Sequence, residues 1–197
     1  MKIYKFKCVK CGNCCRNKNL IVTITHYDLL KIYYTLKLNS IDDLLDIVAF
    51  YEIDINDKEL LKRLIYPEFI INNKYCILGL NKNNDGSCIY LKDNKCTIYK
   101  IRPKICRIFP FNFIEKSNNL QPQINPLAVD ICEGLNKGTV VNFSLFKEIY
   151  IKINDEMKEY KKLISLWNNL VINKVIEPSP KVFLNFISGN INIKVEN

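Results

Sequence analysis

The stretch CVKCGNCCR, Cys8 to Arg16, decides how the rest of the chain is read. Cys8-x2-Cys11-x2-Cys14 sets three thiols at a spacing that lets one loop curl around a single centre, with the intervening amides free to donate to the sulfurs. Gly12 suits the tight turn such a loop needs. Cys15 adjoins Cys14, and neighbouring side chains tend to diverge, so the vicinal pair is expected to serve two adjacent centres more easily than one. Four further cysteines, Cys88, Cys96, Cys106 and Cys132, fall in turns and a short helix, where side chains converge from several directions. Four and four suit two sites of four thiolates each, zinc or iron–sulfur. One site with a smaller ligand set and spare structural cysteines fits the count as well.

The later spacings narrow the chemistry. A paired zinc ribbon would carry a second C-x2-C knuckle, whereas Cys88, Cys96, Cys106 and Cys132 are separated by 7, 9 and 25 residues. C-x2-C-x2-C with a remote fourth cysteine is closer to ferredoxin-type ligation, so spacing leans towards iron–sulfur over zinc. The C-x3-C-x2-C pattern of radical enzymes using S-adenosylmethionine is absent. Cys76, the ninth cysteine, sits in the apolar run 75–80 and reads as a small buried hydrophobe. His26 is the only histidine, at a helix start, and reads as a satisfied imidazole, which argues against histidine-based metal chemistry or catalysis.

Four of the 29 basic residues are arginine, and Arg16, Arg102 and Arg107 lie within the cysteine motifs. In a lysine-biased chain, retained guanidinium groups suggest planar, multi-donor bonding that lysine performs poorly. They are expected to pin loops around an anionic thiolate site, with contact to a substrate anion or cofactor carboxylate as the alternative. Tyr99 and Phe109 are candidate shielding groups.

Bulk composition bounds the class. At 197 residues, 48% hydrophobic and 11% aromatic, the chain suits one folded core with additions. The opening MKIYKFKCVK reaches charged and cysteine-rich sequence before any apolar run could form, and no run approaches the roughly 20 residues that span a bilayer. A cytoplasmic protein without a membrane segment is the expectation, and there reduced thiols bind metal more often than they form disulfides. Formal charge is +9. Eight thiolates would remove eight and two dications return four, leaving +5. No basic block interleaves with aromatics, which argues against a nucleic-acid groove.

The expected fold is α+β: an irregular cysteine-rich core with short strands over residues 1–135, a helical insert at about 25–65, and a helical extension, 136–197, packed on the same core. A strand-like run at 20–24 precedes a helix with Thr25 as N-cap. Ser40 and Asp43 resemble a capping box before Leu44, Leu45, Val48 and Ala49, and a third helix covers 57–65. Short strands follow at 69–71, 75–80 and 88–91, with a tight turn at Asn84-Asp85-Gly86. Pro103 and Pro110 bracket a helix at 104–108, and short strands flank 117–119. A long amphipathic helix spans 143–170 and a short one lies near 182–187.

Together CVKCGNCCR, GSCIYL at 86–91, CTIYKIRPKICRIFPF at 96–111 and CEG at 132–134 resemble the CxxCxxCC, or YkgJ-like, cysteine-cluster family of zinc- or iron-chelating proteins. The resemblance implies metal binding and carries over to Cys8, Cys11, Cys14, Cys15, Cys88, Cys96, Cys106 and Cys132. More distantly it extends to the cysteine-rich part of flagellin lysine N-methylase, which implies an S-adenosylmethionine-dependent enzyme acting on a protein substrate. No glycine-rich nucleotide loop accompanies it. The leading expectation is a thiolate metal centre, structural or redox-active, with a protein as the candidate partner. The competing ones are that methyltransferase-like modifier and a zinc-stabilised nucleic-acid or protein adaptor. The sequence assigns no catalytic residue.

Overall fold

The computed structural model describes residues 3–116 and 119–189. In chain order the elements are β1 (Lys5–Phe6), α1 (Asn13–Arg16), α2 (His26–Leu36), α3 (Asp42–Ile47), β2 (Val48–Glu52), α4 (Lys58–Arg63), β3 (Phe69–Ile71), β4 (Lys74–Leu80), β5 (Leu91–Lys92) and β6 (Lys95–Cys96). Then come α5 (Lys104–Ile108), β7 (Phe111–Lys116), β8 (Asn119–Ile124), α6 (Pro126–Ile131), β9 (Leu135–Val140), α7 (Ser144–Ile172) and α8 (Pro180–Ile187). The class is α+β, with every named strand pair antiparallel. No described helix is long and apolar enough to cross a membrane.

The chain forms two compact units, each assembled from two pieces of sequence. The first holds residues 1–22 and 82–154, the second 23–81 and 155–197. The expected insert, 25–65, belongs to the second. Of the expected extension, residues 136–154 belong to the first unit and the remainder to the second.

The first unit is built from three two-stranded ribbons, β1–β9, β5–β6 and β7–β8. Ribbons this small need side-chain packing to persist. Fully buried Phe111, at the start of β7, supplies it: Tyr4, Phe6, Phe143 and Phe146 meet its ring edge-on at centroid distances of 4.9–5.8 Å. Ile108, Ile149 and Ile153 extend this core. The strands expected around 117–119 are β7 and β8; Ser117 itself lies outside the described residues.

The second unit packs helices on the sheet β2-β4-β3. Buried Trp167 and Phe183 meet at 5.0 Å, and Phe183 stacks on Phe69 at 4.0 Å. The outer edge of β3 is closed by α7: Trp167 donates to Ile70 O at 2.9 Å, while Asn168 accepts from Ile70 N at 3.1 Å and donates to Glu68 O at 3.0 Å. Side chains thus occupy backbone groups that another strand would otherwise pair.

Local expectations meet mixed outcomes. The capping box forms, with Asp43 accepting from Ser40 N at 3.1 Å and Ser40 Oγ accepting from Asp43 N at 3.4 Å. The helix it opens stops at Ile47, and Val48 and Ala49 are strand residues paired with Leu80 and Gly79. A capping box marks where a helix begins, and β-branched Val48 then finds a partner in the central strand β4. Of the strand expected at 20–24, only Thr23 pairs, bridging Gly79. Thr25 occupies the N-cap of α2, yet its side chain makes no capping bond and its buried Oγ1 lacks a partner.

Candidate metal centre

All eight cysteines proposed as ligands lie in the first unit, and Cys76 in the second. The loop holding Cys8 to Cys15 turns at Gly12, whose φ of +77 belongs to the left-handed region that glycine enters without strain. Its carbonyl then accepts from Cys15 N at 2.9 Å and Arg16 N at 3.0 Å, making the single turn α1. Main-chain bonds join this loop to distant segments: Cys88 N donates to Cys15 O at 2.7 Å, and Lys7 N to Gly134 O at 3.1 Å. Arg16 adds three more ties, to Cys11 O and Asn94 Oδ1 at 2.5 Å and to Asn13 Oδ1 at 2.6 Å. Asn13 in turn donates to Glu133 at 2.8 Å.

Cys88, Cys96 and Cys132 share one local geometry. Each carbonyl accepts from the N–H three residues on, at Leu91 (2.8 Å), Tyr99 (3.3 Å) and Leu135 (3.1 Å). Inside each turn the N–H two residues on, from Tyr90, Ile98 and Gly134, lies near the sulfur and favours thiolate over thiol, joined at Cys132 by the Leu135 N–H. Curled turns aiming amides at sulfur are the support a thiolate ligand needs in order to carry charge beside a metal. Cys106 sits in α5 behind Pro103, whose carbonyl accepts from Cys106 N at 3.0 Å.

The thiols interact with one another. Cys14 and Cys15 have their sulfurs 3.9 Å apart, against the expectation that a vicinal pair diverges. A hydrogen bond from Cys15 pulls the Cys14 thiol down to about 7 and the Cys96 thiol down to about 6; Arg102 assists both. Cys15, donating to both, is pushed up. Burial pushes up Cys88 and Cys106, and the neighbouring charges of Cys14 and Cys96 add to it. Burial raises Cys132 too, with smaller contributions from Cys11 and Cys14. Cys8 is exposed.

Arg102 lies over the Tyr99 ring at 4.1 Å, with Lys10 Nζ at 5.0 Å from the same ring. Tyr99 therefore anchors two cations beside the thiols. Arg107 is half-buried next to Cys106, and its side chain forms no hydrogen bond or ion pair among the described residues; Phe109 caps the C-terminus of α5. In the second unit Cys76 is buried on β4, its thiol raised by burial, and His26 stacks on Tyr160 at 5.7 Å. Asn13, Asn94, Glu133 and Gly134 were not anticipated as loop ties. The one available signal was Glu133-Gly134 directly after a cysteine.

Among the described residues no three of His, Cys, Asp and Glu already surround a common metal position. The donors fit a metal by their chemistry. Two thiolates on one tetrahedral zinc, each about 2.3 Å from it, stand about 3.8 Å apart, the separation seen at Cys14 and Cys15. Amides directed at three further sulfurs complete that match. The sequence profile of the CxxCxxCC family, described as a "putative zinc- or iron-chelating domain", matches residues 7–126.

The chain belongs to the CxxCxxCC family. Cys132 falls beyond the matched stretch, although the charges of Cys11 and Cys14 act on it. Two uncharacterized proteins of Methanocaldococcus jannaschii are similar to this CxxCxxCC member. MJ0661 is 32% identical over 81% of this chain and 68% of its own length. MJ0939 is 28% identical over 78% of this chain and 48% of its own, so the chain spans about half of that relative. No solved structure matches.

Proposed function

We propose that this protein binds zinc or iron through the thiolates of Cys8, Cys11, Cys14, Cys15, Cys88, Cys96, Cys106 and Cys132, in a centre that is structural or redox-active. The observation that carries this reading is the gathering of amide-supported cysteines from four sequence segments into one unit, with Cys76 excluded. Cys14 and Cys15, at 3.9 Å, favour a single ion held by both over a division between two centres. Arg16 holds the loop, while Arg102 offsets thiolate charge from its seat on Tyr99. Bound zinc would fix these loops outright; iron would add electron transfer.

The second reading, an iron–sulfur cluster, is favoured by the C-x2-C-x2-C spacing of Cys8, Cys11 and Cys14. Anaerobic purification, elemental analysis and an absorption spectrum separate the two. Colourless protein with stoichiometric zinc, or iron without sulfide, supports ions held by thiolate alone. Brown, oxygen-sensitive protein with matching sulfide supports the cluster. Protein lacking both metals at stoichiometric level overturns both readings.

A further inference from the structure

The positive charge of the chain is segregated. The cysteine unit carries seventeen Lys and Arg against six Asp and Glu, net +11, while the second unit carries twelve against fourteen, net −2. Residues 1–22 contain no acid at all. Eight thiolates and two dications would still leave the first unit at +7. In the second unit Lys74, Lys158 and Lys181 pair with Glu52, Asp155 and Asp42 at 2.6–3.0 Å. In the first, Lys5, Lys7, Lys10, Lys92, Lys95 and Lys100 form no ion pair among the described residues.

The hairpin β5–β6 concentrates this charge on its outer face. Lys92 and Lys95 are direct cross-strand partners, and like charges so placed destabilise a ribbon unless something anionic lies over them. The neighbouring pair, Leu91 and Cys96, belongs to the opposite face of the ribbon. A Cβ at Gly12 would meet Asn94 O at 3.0 Å and Leu91 Cδ1 at 3.2 Å, so the hairpin stands against the cysteine loop, fastened there by Arg16. That loop carries exposed Cys8 between Lys7 and Lys10.

We propose that the lysine-rich surface of this first unit, the outer face of hairpin β5–β6 included, docks an acidic protein surface; the inference rests on the metal-binding reading above. Two observations favour a protein over a nucleic acid. Two aromatic faces that base stacking would use are taken: Phe111 is ringed by its neighbours, and Tyr99 is covered by Arg102 and Lys10. Fourteen of the seventeen cations are lysines; of the three arginines, Arg16 is spent on Asn94, Cys11 and Asn13, Arg102 on Tyr99, and Arg107 alone, half-buried beside Cys106, is unpaired among the described residues. Lysine point charges suit a fast, salt-sensitive encounter with carboxylates, whereas two-pronged capture of phosphate calls for free arginine.

The test uses metallated full-length protein with poly-L-glutamate and polyuridylate as probes, titrated at increasing salt. Lys92→Glu with Lys95→Glu is expected to weaken poly-L-glutamate binding about tenfold or more, and Lys161→Glu with Lys162→Glu, exposed on the second unit's part of α7, no more than about twofold. Zero-length carbodiimide crosslinks should map to Lys7, Lys10, Lys92 and Lys95. Equal weakening by both variants, tighter binding of polyuridylate, or crosslinks spread over the second unit overturns the proposal. Elemental analysis of the same samples keeps the two readings apart. Localised binding by protein without metal would sink the metal centre alone, and full metal content without localised binding would sink the docking face alone.

Discussion

The main-chain N–H of Cys88 donates to the carbonyl oxygen of Cys15 at 2.7 Å, so two cysteine groups far apart in sequence are fastened by backbone rather than by their thiols. Removing one sulfur should therefore spare the fold and cost metal. Cys15→Ser, Cys88→Ser and Cys96→Ser are expected to reduce metal per chain by about half or more in elemental analysis. Cys76→Ser should keep the full metal content and lose about 1–2 kcal/mol of stability in denaturant unfolding, because a hydroxyl replaces a buried thiol. Equal metal loss from Cys76→Ser and Cys96→Ser would refute the division of the cysteines.

Thiol reactivity in the reduced, metal-free protein should follow the hydrogen bonds. Cys96 and Cys14 titrate near 6 and near 7, so both carry substantial thiolate at neutral pH, whereas Cys88, Cys106 and Cys76 are shifted upward and stay protonated. Iodoacetamide labelling followed by peptide mass spectrometry at pH 7 is expected to modify Cys96 and Cys14 first. As pH falls through 6, labelling of both should fade. Cys106 or Cys88 labelling as fast as Cys96 would contradict the geometry.

Arg16 donates to Cys11 O, Asn13 and Asn94 together, a fork that lysine cannot reproduce. Arg16→Lys is expected to cost about 1 kcal/mol, reduced from larger buried values by the residue's exposure. Metal release to a chelator should also quicken several-fold. An unchanged release rate would show that the loop does not depend on this side chain.

Gly134→Ala should be far costlier than Gly189→Ala. A Cβ at Gly134 would fall 2.4 Å from Lys7 O and 2.9 Å from Phe6 Cε2, forcing β1 away from its neighbour, at about 3 kcal/mol or more. At Gly189, with φ +76, nothing lies within 4 Å and only backbone strain of about 1 kcal/mol remains. Thermal unfolding of the two variants gives the comparison.

Elements with apolar periodicity were readable: α2, α7, α8, β3 and β4 fall where their hydrophobic spacing places them. Strand β2 was hidden because Val48 and Ala49 continue the helical pattern of Leu44 and Leu45, and only the remote partner β4 decides otherwise. The β1–β9 ribbon carried no signal, since Lys5–Phe6 is two residues long and β9 is exposed along most of its length. At the site, cysteine spacing exposed the group but not its fastenings. Asn13, Asn94 and Glu133 make contacts set by three-dimensional proximity, which leaves no period in sequence. Charge segregation was equally invisible, because each unit is assembled from separated pieces.

The amides of Tyr90, Ile98 and Gly134, each two positions after a cysteine, imply a grammar for this chain. At Ile89, Thr97 and Glu133 the sulfur asks nothing of the intervening side chain. Two places after Cys88, Cys96 or Cys132, proline alone removes the N–H that the sulfur accepts. The meter after each cysteine is thus kept by main chain: proline is barred from the second beat, and at Gly134 the space beside Lys7 bars every side chain as well.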